Sequence, residues 1–123
     1  MLYIGTDIIE ISRVRTVSEQ HPAFYDKMLT GSEMTYCLGK SDPVPSLAGR
    51  FAAKEAVLKC LGLGLRGLSW HDIEIMPDEL GAPQALFSER IKRIMEEKKI
   101  RYIKISISHS RDYATAVAVG EGD

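Results

Sequence analysis

The sequence has few cysteines, no excess of one charge and no long apolar run, and each absence excludes a class of protein. Its two cysteines, Cys37 and Cys60, stand far apart and form no Cys-x-x-Cys pair, so the motifs of zinc and thiol-redox proteins are absent. Sixteen basic residues against seventeen acidic ones give a net charge of −1, which argues against a dedicated nucleic-acid binder. The N-terminus does not have the pattern of a signal peptide, and no apolar stretch reaches the roughly 20 residues that span a bilayer. The composition therefore predicts a cytoplasmic protein with neither a nucleic acid nor a membrane as its partner.

Patterns typical of strands and helices follow one another without the regular alternation of a parallel sheet. Residues 2–11 are rich in β-branched side chains and predict a strand, and the alternation that begins at Arg101 predicts a hairpin turning at residues 110–112. Residues 46–61 are mostly good helix formers whose apolar positions surround the helix, which indicates burial on most sides; Gly62 is its natural end. We therefore predict an α+β fold over residues 1–123: a single domain in which a small antiparallel sheet packs against a long, largely buried helix.

The long helix carries four charged residues, Arg50, Lys54, Glu55 and Lys59, in surroundings that should be apolar. A buried charge is costly unless it is paired, hydrogen-bonded or bound to an ion. Glu55 and Lys59 are spaced for an internal ion pair, which would account for their presence. Arg50 and Lys54 have no acidic partner on their own strip of the helix, so an external anion such as phosphate would suit them.

Asp7 raises the same question on the first strand, because a period of two places it on a face with Gly5 and Ile9. An acid on an apolar face is either the partner of a buried base or a metal ligand. Asp7 and Glu55 together would supply two hard oxygen ligands, and magnesium takes one or two carboxylates with waters and substrate phosphates. The alternative is that Asp7 pairs with Arg50 or Lys54.

Three further signals are local. Thr30 and Glu33 have the spacing of a capping box and predict the start of a helix. The glycines at 62, 64 and 67 follow a helix, which is typical of a helix-ending loop rather than a dinucleotide fingerprint. His109 ends a strand, where a histidine can donate to a phosphate or act as a base but more often caps the strand or meets solvent.

Three segments together resemble a known family. Residues 4–11 (Ile-Gly-Thr-Asp-Ile-Ile-Glu-Ile) resemble the first motif of the holo-acyl-carrier-protein synthases, which are small 4′-phosphopantetheinyl transferases. Residues 50–59 (Arg-Phe-Ala-Ala-Lys-Glu-Ala-Val-Leu-Lys) resemble the second, and residues 107–110 (Ile-Ser-His-Ser), followed by Tyr113-Ala114, resemble the third. Their order and spacing agree over essentially the whole chain. A single motif can mislead, but three in register are specific.

The resemblance implies transfer of the 4′-phosphopantetheine group of coenzyme A to a serine of apo-acyl carrier protein, with release of adenosine 3′,5′-bisphosphate, in support of fatty-acid biosynthesis. It implies a magnesium ion on Asp7 and Glu55, catalytic roles for Glu55 and Lys59, and a homotrimer with active sites between subunits. The general base would be Glu55 or a metal-bound water. The positions that match coenzyme A contacts are Arg50, Phe51, Lys54, Lys59, Gly62, Pro83, His109 and Ser110.

The resemblance also assigns Arg13 to contact with the acidic carrier protein. The segment after the first motif is usually distinctly basic in the family, but here Arg13 and Arg15 are accompanied by Glu19 and Asp26. Two alternative functions are also compatible with the residues of these motifs. The first is a coenzyme A or nucleotide-binding regulator without catalysis, and the second is a structural domain in which Asp7 and Glu55 form internal ion pairs.

Overall fold

The computed structural model describes residues 1–65 and 67–123. Strands and helices are mixed along the chain, and the strands form two antiparallel sheets, one of three strands in the order β1-β5-β4 and one of two strands, β2 and β3. The α+β fold class is thus confirmed, although the strands are divided between two small sheets. The elements are β1 (Leu2–Glu10), α1 (Ile11–Gln20), α2 (Ala23–Met28), α3 (Gly31–Leu38), α4 (Val44–Leu61), a 3₁₀ turn (Trp70–Asp72), β2 (Ile73–Pro77), β3 (Pro83–Phe87), α5 (Glu89–Glu97), β4 (Ile100–His109) and β5 (Tyr113–Gly122).

Helix α4 is buried along most of its length, as its sequence predicts. It starts two residues earlier than expected, at Val44, because Pro45 is tolerated in the first turn of a helix, where backbone N–H groups have no helical partner. It ends at Gly62, which takes the left-handed conformation with φ 71° that favours glycine. Its buried apolar residues form the centre of the main core together with residues of both sheets: Ala52, Ala53, Ala56, Val57, Leu58, Cys60, Leu61, Ile73, Ile75, Ala116 and Ala118.

Strand β1 approaches α4 so closely that a side chain at Gly5 would not fit. A Cβ atom there would overlap the carbonyl of Ala56 and lie 2.6 Å from the backbone nitrogen of Cys60. Gly5 is therefore required by backbone contact between the strand and the helix. Asp7 follows two residues later on the same face of β1, so this contact brings its carboxylate next to α4.

On the other face of the three-stranded sheet, the side chains of β1 are exposed and mostly apolar. Leu2, Ile4 and Ile8 are all exposed there, and Val117 of β5 is exposed beside them. An exposed apolar area of this kind is typical of a surface that contacts another protein.

Candidate active site

Asp7 and Glu55, distant in the sequence, line one cavity of about 400 Å³. Asp7 stands on β1 and Glu55 on α4. Lys59, one turn after Glu55, donates from Nζ to the Asp7 carboxylate at 3.2 Å and to the carbonyl of Thr6 at 2.9 Å. The cavity is thus bordered by two carboxylates, and the amino group of Lys59 is hydrogen-bonded to one of them.

The carboxylate of Asp7 is close enough to affect the ionisation of Glu55. Burial raises the pKa of Glu55 above its ordinary value, the negative charge of Asp7 raises it further, and the positive charge of Lys59 opposes both. Like charges that share a partly buried site favour a proton or a cation between them. The site therefore favours a positively charged ligand.

The donor set fits magnesium. Magnesium is held in proteins by one or two carboxylates and completes its octahedral shell with waters and substrate phosphates. Within the described residues no group of three or more histidine, cysteine or acidic side chains is placed to hold a metal. A cation at Asp7 and Glu55 would therefore take its remaining ligands from water or a phosphate, as magnesium commonly does.

The ion pairs differ from both alternatives that spacing suggested. Lys59 pairs with Asp7 rather than with Glu55 of its own helix, and the partner of Asp7 is neither Arg50 nor Lys54. The Asp7–Lys59 pair is open to solvent, with side-chain exposures of 17% and 53%. An exposed pair of this kind is weak, so Lys59 can exchange its partner when a ligand enters.

The structure contradicts the prediction that Lys54 contacts coenzyme A phosphates. Its amino group donates to the carbonyl of Met28 at 2.6 Å, to Oε1 of Glu33 at 2.7 Å and to the carbonyl of Trp70 at 3.0 Å. These acceptors satisfy all three protons of the ammonium group, and both side chains of the Lys54–Glu33 pair are 0% exposed. Burial lowers the pKa of Lys54, and the charge of Glu33 opposes that effect. Lys54 is a structural residue of the core.

Arg50 is a buried cation with no acidic partner in the described part of the chain. It is only 7% exposed, its Nε atom has no hydrogen-bond partner, and its guanidinium lies 4.4 Å from the centre of the Tyr36 ring. A buried guanidinium with an unused donor is costly unless an anion or an aromatic face accepts it.

His109 and Ser110 lie where β4 ends, beside the first turns of α4. His109 Nε2 is 3.0 Å from the carbonyl oxygen of Pro45, and the Ser110 hydroxyl accepts a hydrogen bond from the Tyr113 N–H at 3.1 Å. The remaining predicted residues are spread around the fold. Arg13 and Phe51 line the cavity of Asp7 and Glu55, whereas Gly62 ends α4 and Pro83 begins β3 in the other sheet.

Two features of the site had no sequence signal. The first is the apolar wall of the cavity, where Val14 and Val17 of α1 and Phe24 of α2 join Phe51. The second is the partner of Arg15, whose guanidinium donates to both carboxylate oxygens of Asp42, at 2.8 and 3.3 Å. Both depend on contacts between residues that are distant in sequence, which spacing alone does not indicate.

Comparison with known proteins places this chain in a family. Residues 3–118 match the model of the family described as the 4′-phosphopantetheinyl transferase superfamily. The chain belongs to the 4′-phosphopantetheinyl transferase superfamily. Its relatives there include a holo-[acyl-carrier-protein] synthase of Caldanaerobacter subterraneus subsp. tengcongensis, 45% identical over 98% of this chain and 95% of that protein. Another, of Chlorobaculum tepidum, is 48% identical over 96% of this chain and 97% of that protein.

Solved structures agree with the sequence comparison. The crystal structure of holo-[acyl-carrier-protein] synthase from Neisseria meningitidis has a TM-score of 0.90 at 36% identity and covers 97% of both chains. That of the Helicobacter pylori synthase in complex with coenzyme A has a TM-score of 0.83 at 34% identity and covers 96% of this chain and 99% of that one. These similarities confirm the predicted family and the predicted enzyme class, a phosphopantetheinyl transferase. No helix among the described residues is long and apolar enough to cross a membrane.

Proposed function

We propose that this protein transfers the 4′-phosphopantetheine group of coenzyme A to a serine of an apo-acyl carrier protein. The observation that carries the proposal is the shared cavity of Asp7 and Glu55, with Lys59 bonded to Asp7 at 3.2 Å. Relatives named holo-[acyl-carrier-protein] synthase, one of them solved with coenzyme A, support the same reaction. The single domain of residues 1–123 would carry the whole activity.

In the proposed reaction the serine oxygen attacks the β-phosphorus of coenzyme A. A phosphorus–oxygen bond to the carrier serine forms, the bond to the bridging oxygen of the pyrophosphate breaks, and adenosine 3′,5′-bisphosphate leaves. Phosphoryl transfer of this kind depends on positioning and on stabilisation of negative charge. Lys59 supplies positive charge beside Asp7, and Arg50 is a second cation, whose buried Nε atom has no hydrogen-bond partner among the described residues.

Asp7 and Glu55 would hold Mg²⁺ for this reaction. The metal supplies neutralisation of the charge that develops on the phosphates. Glu55 is also a candidate for the base that accepts the serine proton, because a positioned carboxylate can act as a general base. Lys59 orients the carboxylate of Asp7, the second of the two proposed metal ligands, through its hydrogen bond.

The assembly and the carrier contact belong to the same proposal. We propose a homotrimer with active sites between subunits, because the exposed apolar face of Leu2, Ile4 and Ile8 needs a protein partner. Arg13 lines the cavity of the acidic pair and is placed to attract an acidic carrier protein. The role in fatty-acid biosynthesis and the cytoplasmic location stay predictions.

The experiment is mass spectrometry of an apo-acyl carrier protein after incubation with this protein, coenzyme A and Mg²⁺. The carrier should gain the mass of one phosphopantetheine group, and a chelator should prevent the gain. Glu55→Gln, which keeps the size of the side chain and removes its charge, is the matched control and should be inactive. A carrier of unchanged mass across a range of metals and pH would contradict the proposal and favour a coenzyme A-binding regulator.

A further inference from the structure

The imidazole of His109 rests directly on helix α4 at Gly49. A Cβ atom built on Gly49 would lie 2.8 Å from Nε2 and 3.1 Å from Cε1 of His109, and 3.2 Å from Cγ2 of Ile107. Real Cβ atoms essentially never approach another heavy atom to less than 3.0 Å. The ring can therefore occupy this position only because residue 49 has no side chain. Glycine inside a helix is otherwise unfavourable compared with alanine, because it loses more backbone entropy on folding, and the ring contact accounts for its presence here.

The same contact fixes which ring nitrogen carries the proton. Nε2 of His109 is 3.0 Å from the carbonyl oxygen of Pro45, which can only accept a hydrogen bond. Nε2 must therefore be the protonated nitrogen of the neutral ring. Nδ1 makes no hydrogen bond with the described residues, so it is the nitrogen that can take a second proton and donate to an anion.

The surroundings of the ring favour an anion. Pro45 lies in the first turn of α4, an 18-residue helix whose N-terminus carries a partial positive charge. Arg50, the residue after Gly49, is buried with an unused Nε donor. The free nitrogen of the imidazole thus lies beside a helix N-terminus, where the N–H of Val44 donates to Asp42 at 3.2 Å.

We propose that Gly49 is a positioning residue for coenzyme A binding: it lets α4 hold the His109 ring with Nε2–H on the Pro45 carbonyl, which leaves Nδ1 for a phosphate of the ligand. This inference rests on the proposed function, in which coenzyme A is the substrate. Gly49 acts only through His109 and does not itself contact the ligand.

The test begins with the unmodified protein. Long-range ¹H–¹⁵N spectra distinguish the two neutral tautomers of a histidine, and His109→Ala identifies the signal of residue 109. We expect the Nε2–H tautomer in the free protein. The Nδ1–H tautomer would overturn the proposal, whatever the activity of the protein.

Gly49→Ala then tests the positioning role. The added methyl should displace the ring, abolish the tautomer preference and raise KM for coenzyme A about tenfold, the loss expected for a hydrogen bond to a charged group, with kcat little changed. His109→Ala should raise KM by a similar factor, and the double variant should be no worse than either single one, because both changes remove the same contact. Gly31→Ala is the matched control: it is also a helical glycine, and nothing lies within 4 Å of its Cβ position.

The outcomes separate this inference from the proposed function. If the unmodified protein neither binds coenzyme A nor modifies a carrier, the proposed function is wrong, while the spectra of the free protein still report on the Gly49 contact. If the unmodified protein is active but Gly49→Ala keeps its KM, or if the effects of Gly49→Ala and His109→Ala add, the positioning role is wrong. Should Gly49→Ala fail to fold, folding of the Gly49→Ala/His109→Ala double variant would identify the ring as the obstacle, and failure of the double variant would assign Gly49 to packing alone.

Discussion

Lys54 and Lys59 lie on the same helix and form bonds of the same kind in two different settings. Each amino group donates to one carboxylate and to backbone carbonyls, Lys54 to Glu33 and Lys59 to Asp7. The first pair is 0% exposed on both sides, whereas Lys59 is 53% exposed. The two pairs differ in access to water. Separating the buried pair would leave each charge unsolvated in the core, whereas water can solvate the charges of the exposed pair when they separate. The buried pair therefore holds the fold, and the exposed pair is available to a ligand.

The largest effect should come from breaking the buried pair. Lys54→Met should lower the free energy of unfolding by about 3–5 kcal/mol, because Glu33 would stay buried without its counter-charge. Glu33 also accepts hydrogen bonds from the N–H groups of Thr30 and Ile75, so its loss of order would extend to α3 and β2. Chemical denaturation of Lys54→Met and of Lys59→Met, measured under the same conditions, compares their free energies of unfolding. The double variant Lys54→Met/Glu33→Gln should recover part of the lost stability, because it no longer buries an unpaired charge. A Lys54→Met variant as stable as the unmodified protein would refute the structural role of Lys54.

The next effect concerns the acid that shares the cavity with the exposed pair. Glu55→Gln should lower the rate of carrier modification at least about 100-fold, as loss of a charge-stabilising group does in other active sites. Its thermal midpoint without Mg²⁺ should stay the same or rise slightly, because the repulsion between Glu55 and Asp7 disappears. Activity by mass spectrometry and the midpoint by calorimetry check the two parts. A large fall of the midpoint would instead indicate an internal ion pair.

Breaking the exposed pair should affect activity more than stability. Lys59→Met should change the free energy of unfolding by less than about 1 kcal/mol, the range of solvent-exposed ion pairs. Transfer should slow about tenfold or more, because a positive charge beside the phosphates is lost. Unfolding and carrier modification measured on one preparation give the comparison with Lys54→Met. Equal destabilisation by the two substitutions would remove the distinction between the pairs.

A smaller effect concerns pH. The pKa of Glu55 is raised above its ordinary value of 4.5, chiefly by burial, so the folded apo-protein binds a proton more readily than the unfolded chain. The sign follows from linkage: stability of the apo-protein should fall as pH rises from 4.5 through the raised pKa. Mg²⁺ competes with that proton, so the increase in thermal midpoint that Mg²⁺ causes should shrink as pH falls through the same window. Glu55→Gln should show neither dependence, and a metal effect independent of pH would exclude Glu55 as a ligand.

The smallest effect concerns another exposed pair, Arg15 with Asp42. Asp42→Asn should release Arg15, because the neutral amide no longer attracts the guanidinium that now donates to both carboxylate oxygens. If α1 meets the acidic carrier, KM for the carrier should fall by less than about fivefold, and the gain should vanish at high salt. Steady-state kinetics at two ionic strengths measure it, with Arg13→Ala, which should raise KM, as the opposite control. A KM that does not change with Asp42→Asn would place Arg15 outside the docking surface.

The fold was predictable where a signal is local. The period of the residues in β1 and β4, the helix formers of α4 and the glycine at its end each determine an element without help from the rest of the chain. The capping box of Thr30 and Glu33 was also readable, but its carboxylate has a second partner, Lys54, 21 residues away. The helical period of a sequence predicts which way a side chain points, but it does not predict which other segment of the chain packs over that side chain.

The candidate site was predictable through its motifs rather than through spacing. Spacing suggested that Glu55 pairs with Lys59, but Lys59 lies beside Asp7 once β1 packs on the helix. Spacing also predicted that Arg50 and Lys54 would both bind an anion. They differ because α2, α3 and the 3₁₀ turn surround Lys54 with acceptors, whereas Arg50 meets an aromatic ring and keeps a free donor.

Gly5 limits how much substitutions elsewhere in the chain can change the distance between the carboxylates of Asp7 and Glu55. Strand β1 and helix α4 touch there through main-chain atoms, so no side chain acts as a spacer between them. Exchanges of larger for smaller core residues change side-chain volumes, but they leave this contact as it is. The core can therefore diverge over evolution while the gap between the two carboxylates stays constant, and any side chain at position 5 would widen that gap.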